Sequence, residues 1–140
     1  MSDMLKKLNY KGQDRIAVIS AEDDFMDSLA ADLPDVKIDT VIDPRFPYSF
    51  IIIFVRRSSE VVQISQLAIH NLVADGVLWF CYPKKTSKLA KPELNRDNGW
   101  KPLHDLGFYG IRLISIDDDW SALRFRNSKF IKSTPGKYPV

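Results

Sequence analysis

The run FIIIFV, residues 50–55, decides the fold class, because it is apolar at every position and rich in β-branched side chains. A strand with one buried and one solvent-exposed face alternates apolar and polar residues. A strand inside a parallel sheet is covered by helices on both faces, so it is continuously apolar. A second such run, VLWFCY, follows at residues 77–82. The two runs predict two central, parallel strands.

The residues between these runs predict the helix that connects the strands. In residues 58–75, Val61, Ile64, Ala68 and Leu72 recur at helical spacing and share one face. Serines at its start and Gly76 after its end are typical helix boundaries. The same criteria predict the remaining elements: a turn of helix around Met4–Leu8, strand RIAVIS at 15–20, helix AEDDFMDSLAADL at 21–33, edge strand KIDTVI at 37–42, a weak helix from Asn95 to Leu106, and hairpin strands YGIRLISI at 109–116 and WSALRFRN at 120–127.

The order of these elements, β-α-β-β-α-β-α-β-β, favours an α/β fold. Buried strands that alternate with helices form a three-layer, Rossmann-like sandwich with a mostly parallel central sheet. The last two strands add a C-terminal antiparallel hairpin. We expect one α/β domain over residues 1–127 and a polar C-terminal tail over residues 128–140.

Composition excludes several classes of protein. The chain has 20 basic and 18 acidic side chains and a net charge of +2. This near balance argues against electrostatic nucleic-acid binding through the basic tail and the lysines Lys84, Lys85, Lys88 and Lys91. No apolar run reaches the roughly 20 residues of a membrane span. The first residues lack the apolar core of a signal peptide, and a single cysteine cannot form an internal disulfide. We therefore expect a cytoplasmic protein.

Several motifs resemble known families. The segment LVADGVLWFCYPK (72–84), after an amphipathic helix, is similar to the fourth helix and fifth strand of class I methyltransferase-like Rossmann folds. The segment LGFYGIRLISIDDDWSALRFR (106–126) is similar to the closing strand pair of the same fold. From Leu8 to Arg126 the chain also resembles a bacterial family of small domains of unknown function. The shared motifs are a loose opening KGQDRIAV (11–18), Phe54–Arg57, Trp79–Lys85, Arg96-Asp97 and Asp117–Leu123. This resemblance implies a truncated Rossmann-like fold and no particular activity.

The turn after the first predicted strand departs from the methyltransferase pattern. In nucleotide-binding folds this turn is rich in glycine, so that the cofactor can approach the backbone. Here it is Ser20–Asp24, which has three acids and no glycine. Side chains at every position keep a ligand off the backbone, and the acids repel phosphate. We therefore expect no cofactor, although acids could still hold the ribose or amino group of S-adenosylmethionine.

No set of residues forms a recognised catalytic or metal site. Cys81 lies within a buried strand, where a thiol is inert, and neither His70 nor His104 can be placed beside it from the sequence. The acids Asp117–Asp119 follow no calcium-loop pattern and are typical of a hairpin turn. The acids Glu22–Asp24 are typical of a solvated helix start. We expect no catalytic residue and no metal.

Basic and hydroxyl side chains follow both central strands. Because parallel strands end at the same edge of a sheet, these side chains should form one rim there: Arg56, Arg57, Lys84, Lys85, Thr86 and Ser87. Two interpretations stay open. The rim could bind an anion or an acidic partner, or its bases could pair with Glu22–Asp24 and Asp43 and keep the surface solvated.

The sequence thus predicts a small, non-catalytic domain that binds a protein partner or a small anionic ligand. The alternative is a degenerate S-adenosylmethionine-dependent enzyme that uses a crevice near Ser20 and Asp43. Charges such as Arg124 and Lys37 on the outer strands discourage edge pairing, so we expect a monomer or a weak dimer. Trp79 is predicted to lie in the core, Trp120 at the end of the sheet, and Trp100 partly exposed.

Overall fold

A six-stranded sheet organises the protein, whose computed structural model describes residues 2–86 and 94–131. The elements in chain order are α1 (Asp3–Lys7), β1 (Arg15–Ile19), α2 (Asp23–Asp32), β2 (Lys37–Asp39), β3 (Tyr48–Phe54), α3 (Ser58–His70), β4 (Leu72–Pro83), α4 (Lys101–Asp105), β5 (Phe108–Ser115), β6 (Trp120–Asn127) and a final 3-10 turn (Ser128–Phe130). The strand order is β2-β1-β3-β4-β6-β5. The first four of these strands are parallel neighbours, and β6 pairs antiparallel with both β4 and β5. The predicted fold class is confirmed.

Both faces of the central strands are buried, as the apolar runs predicted. Ile51 and Ile53 pack into a cluster that includes residues of α3 and α4. Phe50 and Ile52 point to the other face, where the cluster includes residues of α1 and α2. The sheet is therefore the middle layer of three. Trp79 is fully buried on the second face and donates its indole N–H to the Leu8 carbonyl at 2.8 Å.

A short connection between β2 and β3 is the most unusual part of the topology. Parallel strands normally need a crossover of about a dozen residues or more, usually a helix. Here residues 40–47 return the chain across β1 without a helix. The Arg15 guanidinium holds this connection, because it pairs with Asp39 at 2.8 Å and with Asp43 at 3.1 Å and lies 4.2 Å from the centre of the Phe46 ring. The Tyr48 hydroxyl also donates to Asp39.

Helix α3 and strand β2 end earlier than predicted. The helix predicted over residues 58–75 ends at His70, because Leu72 already pairs with Tyr48 of β3. The Asn71 side chain fixes this change of direction by donating to the carbonyls of Asp43 at 2.9 Å and Phe46 at 3.1 Å. Strand β2 ends at Asp39 rather than at residue 42, where the connection begins to turn back.

The region before α4 also differs from the prediction. The helix expected from Asn95 is confined to Lys101–Asp105, and Asn95 pairs instead with Asn98 in a local turn. Trp100 is buried and not partly exposed, because its ring packs against Phe80 and its indole N–H donates to the Asn95 carbonyl at 2.7 Å. Among the helices of the described residues, none is long and apolar enough to cross a membrane.

Candidate functional site at the carboxyl edge of the sheet

The crevice between the ends of β1 and β3 is the natural ligand position of this topology. Strand β1 leads into α2 on one face of the sheet, and the neighbouring strand β3 leads into α3 on the other face. The two connections diverge at this point and leave a crevice beyond the carboxyl ends of the strands, where open α/β sheets bind ligands. Its walls are the turns at residues 20–22 and 55–57.

An ion pair bridges this crevice. The Arg56 guanidinium, from the turn after β3, donates to the Glu22 carboxylate, from the turn after β1. The carbon at the centre of the same guanidinium lies 5.2 Å from the centre of the Trp120 ring. Glu60 orients the turn, since its Oε1 accepts from the backbone N–H of Arg56 at 2.7 Å. This crevice is the switch point of the sheet, where the connections from neighbouring strands diverge. The chain fills it with its own cation, which is held by a carboxylate and an aromatic ring.

The turn after β1 keeps the backbone conformation of a glycine turn without the glycine. Ser20 has φ +61°, in the left-handed region that glycine adopts without strain. The next helix, α2, begins after Glu22, and Asp23 and Asp24 occupy its first turn. These acids place negative charge at the helix start that would otherwise attract phosphate.

Asp39 is also engaged within the protein. In dinucleotide-binding folds an acid about 20 residues after the glycine turn holds the ribose hydroxyls. Asp39 stands at that spacing from Ser20, but its carboxylate accepts from Arg15 and from the Tyr48 hydroxyl, and its side chain is only 10% exposed. The hydrogen bond to Asp39 and burial both raise the pKa of Tyr48, with burial the larger cause.

A pocket of about 410 Å³ opens beside the ion pair. Its apolar side chains come from α1 and the residue after it, α2, β3, the β5–β6 turn and the start of β6, and five acids and two serines complete its lining. The lining residues are Ser2, Met4, Leu5, Leu8, Glu22, Asp24, Phe25, Ser28, Leu29, Asp32, Phe54, Ile116, Asp117, Asp119 and Trp120. None of these described lining residues is lysine or arginine. We call this site the acidic pocket.

Three aromatic rings form one wall of the acidic pocket. Phe54 packs edge-to-face against Phe25 and against Trp120, with ring centres 5.0 Å apart in both pairs. The turn that carries Trp120 is fixed by Asp117, whose Oδ1 accepts from the backbone N–H of Asp119 at 2.8 Å and of Trp120 at 2.9 Å. Trp120 therefore lies at the end of the sheet, as predicted, and is 2% exposed.

The residues of the predicted basic rim have different partners. Arg56 contacts Glu22 beside the acidic pocket. Lys84 donates to the Ser115 hydroxyl at 2.6 Å, and with Lys85 it lines a separate open groove of about 520 Å³.

For Arg57 and Thr86 the structure shows exposure and, at Arg57, a backbone contact. The Arg57 side chain is exposed, and its backbone N–H donates to Glu60 at 2.9 Å. Thr86 is exposed, and Ser87 lies outside the described residues. Anion binding by the rim stays a prediction. The acidic pocket was not predicted from the sequence, although aromatic residues next to acids at strand and helix ends were the available signal.

Cys81, His70 and His104, which the sequence raised as candidates for catalysis, are not among the lining residues of the acidic pocket. Cys81 is fully buried, and burial raises the pKa of its thiol. His70 is exposed. Burial lowers the pKa of His104, whose ring stacks on Tyr109. Within residues 2–86 and 94–131, no group of three or more His, Cys, Asp or Glu side chains is arranged to hold a metal ion.

Solved structures with the same fold are methyltransferases in several cases. No protein-family model matches the sequence, and no curated protein matches it. The chain superimposes on the tRNA methyltransferase TrmK of Bacillus subtilis with a TM-score of 0.56 and 12% identity, covering 91% of this chain and 67% of the other. It also superimposes on an S-adenosylmethionine-dependent methyltransferase from Aquifex aeolicus, with a TM-score of 0.54 and 13% identity. That match covers 87% of this chain and 86% of the other.

An uncharacterised protein from Listeria monocytogenes is similar over 99% of this chain and 73% of its own, with a TM-score of 0.56 and 10% identity. The fold is Rossmann-like and methyltransferase-like. Identities this low establish the fold alone. The resemblance to a small bacterial family therefore stays a prediction.

Proposed function

We propose that this protein is a non-catalytic binding domain built on a methyltransferase-like fold, and that its acidic pocket binds an organic cation. The observation that carries the proposal is the Glu22–Arg56 ion pair, which fills the switch point with the chain's own guanidinium. A cofactor at this position would have to displace Arg56 from both Glu22 and the Trp120 ring.

The composition of the pocket selects the class of ligand. Aromatic faces attract cations through the ring quadrupole, and the site already binds one guanidinium in this way. Arg56 compensates Glu22, which leaves Asp24 and Asp32 of α2 beside the β5–β6 turn with no basic residue among the described lining residues. Such a site favours an apolar group that carries one positive charge, such as an organic ammonium or a basic side chain.

Calorimetry with S-adenosylmethionine and S-adenosylhomocysteine tests the non-catalytic part of the proposal. The two compounds share the adenosine but differ in the charge on sulfur. We expect no heat from S-adenosylhomocysteine at millimolar concentration, because Ser20 and the ion pair occupy the place of a nucleoside cofactor. Binding of both compounds with similar affinity would favour the second candidate function, a methyltransferase-like enzyme, which the fold of the Aquifex aeolicus structure supports.

Titration with benzyltrimethylammonium, with benzyl alcohol as the neutral counterpart, tests the class of ligand. We expect the cation to bind and the alcohol to bind at least roughly tenfold more weakly, a difference of about 1.4 kcal/mol. The double variant Asp24→Asn/Asp32→Asn should lose most of this preference. Asp27→Asn, on the same helix but outside the pocket lining, is the matched control and should retain it. Equal affinity for both compounds would contradict the proposal.

N-acetyl-argininamide and N-acetyl-lysinamide distinguish the source of the cation. Binding of these amides more tightly than of benzyltrimethylammonium indicates a basic side chain of a partner protein. The reverse order indicates a small organic ammonium.

A further inference from the structure

A second charged surface lies on β5 and β6, and none of its residues lines the acidic pocket. Arg112 of β5 and Arg124 of β6 are direct cross-strand partners. Residues that face each other in an antiparallel pair project from the same side of the sheet, and like charges in such a pair are destabilising. Arg126, two residues further along β6, projects from this side too.

Among residues 2–86 and 94–131, Asp75 is the one carboxylate that pairs with any of these three arginines. Asp75 accepts from Arg126 in a bidentate pair, Nε to Oδ1 and Nη2 to Oδ2, both at 2.7 Å. Arg112 is exposed. Arg124 is half-buried, and within the described residues its Nε is buried with no hydrogen-bond acceptor. In the part of the chain that the structure describes, the cluster therefore carries three positive charges against one negative charge.

A local distortion of the hairpin produces this juxtaposition. The register of β5 against β6 shifts between Gly110 and Arg112, so Ile111 is an extra residue on β5. A bulge of this kind turns the side chains that follow it. If the pairing continued regularly from Gly110 and Phe125, Arg112 would lie opposite Leu123 and project from the other face of the sheet. The bulge thus places two arginines side by side where regular pairing would separate them.

The neighbouring charges act on Arg124 in the expected direction. Burial lowers the pKa of Arg124, and the charges of Arg126 and Arg112 lower it further, while Asp75 opposes this effect. Burying a charge without a partner is costly, so an anion bound at this surface would stabilise the folded protein.

We propose that Arg112 and Arg124 form a binding site for a phosphate monoester. Two adjacent guanidinium groups match the double negative charge of a phosphate monoester, and each offers a planar pair of donors to its oxygens. Arg126 adds long-range attraction while it remains paired with Asp75. This site is independent of the acidic pocket, whose ligand has the opposite charge.

Inorganic phosphate and phenyl phosphate are the probes for this site. Thermal unfolding in phosphate and in sodium chloride of equal ionic strength separates specific binding from general salt effects. At a phosphate concentration about ten times Kd we expect Tm to rise by roughly 3–6 °C over chloride. Dimethyl phosphate, a monoanion, should bind at least about tenfold more weakly. Equal binding of the diester would overturn the choice of a dianion.

Substitutions at the two arginines test the assignment. Arg112→Gln changes an exposed residue. Its Tm in chloride should be unchanged or higher, because the repulsion between the arginines is relieved. The rise in Tm that phosphate produces over chloride, the phosphate increment, should be lost. Arg124→Lys keeps the charge but loses the planar donor pair, so Kd should rise about tenfold. A lower Tm of Arg112→Gln in chloride would contradict the repulsion that the proposal assumes.

The matched control is Lys84→Gln/Lys85→Gln, which removes two cations at the carboxyl edge of the sheet. This variant should keep the full phosphate increment. If it loses the increment while Arg112→Gln keeps it, the anion binds at the predicted rim and the proposal is wrong. An equal increment in every variant also overturns it. Tighter binding of a single-stranded oligonucleotide than of phenyl phosphate would assign the arginines to nucleic acid instead.

Discussion

Arg56, in the turn after β3, pairs with Glu22, in the turn after β1. The ion pair therefore connects the two turns between which a ligand would bind. Both side chains are about two-fifths exposed. An exposed ion pair of this kind contributes little to stability, which indicates that its main effect is to occupy the crevice.

The strength of this pair can be measured by a double-mutant cycle of Glu22→Gln and Arg56→Gln. We expect a coupling free energy of about 0.2–1 kcal/mol in urea unfolding at low salt. The value should fall toward zero at about 1 M sodium chloride, where charges are screened beyond roughly 3 Å. A coupling above about 2 kcal/mol that persists in high salt would show that the pair is a structural clamp.

Ser20→Gly should maintain or raise stability. The left-handed conformation at φ +61° costs a non-glycine residue about 1–2 kcal/mol, and the greater freedom of glycine in the unfolded chain offsets part of the gain. We expect a net increase of up to about 1 kcal/mol in urea unfolding. Ser28→Gly, at an exposed helical position of α2, is the control and should lower stability by about 0.5 kcal/mol. A loss at Ser20 equal to that at Ser28 would contradict the argument.

Cys81 should resist thiol reagents in the folded protein. It is the only cysteine of the chain, it is fully buried, and burial raises the pKa of its thiol, so the reactive thiolate is scarce. We expect reaction with a disulfide reagent at pH 8 to be at least about a thousandfold slower than in 6 M guanidinium chloride. The unfolded protein is the control for intrinsic reactivity. Complete labelling of the native protein within seconds would place the thiol at the surface.

The Asp75–Arg126 pair predicts a specific dependence of stability on pH. Hydrogen bonds from Arg126 lower the pKa of Asp75 below its unfolded value of about 3.9. A lowered folded pKa stabilises the protein above the unfolded pKa, and this contribution is lost as the pH falls through the folded pKa.

Asp75→Asn should therefore be less stable than the parent at pH 7, by less than about 1 kcal/mol because the pair is about one-third exposed. The difference should vanish near pH 2. Asparagine suits this position because it tolerates the φ of +55° found there. Asp27→Asn is an exposed control. A difference between Asp75→Asn and the parent that is unchanged from pH 7 to pH 2 would show that charge is not its cause.

The sequence alone determined the central sheet. Residues 50–55 and 77–82 are apolar on both faces, and only a layer of helices on each side can bury them. Glycine, proline and acidic positions then predicted the order of the elements, and the hairpin followed from two β-rich runs around Asp117–Asp119. These signals are local, so they can be read without knowledge of distant contacts.

Only the tertiary structure decided where elements end and which side chains meet. The helix α3 ends at His70 because Leu72 already pairs with Tyr48 in the sheet. Trp100 is buried because its ring packs against Phe80. Arg56 pairs with Glu22, which is 34 positions away in the chain. Arg112 meets Arg124 only because of the bulge at Ile111. Each of these contacts depends on strand order or register, which local periodicity does not encode, since a shift of one residue moves a side chain to the other face of the sheet.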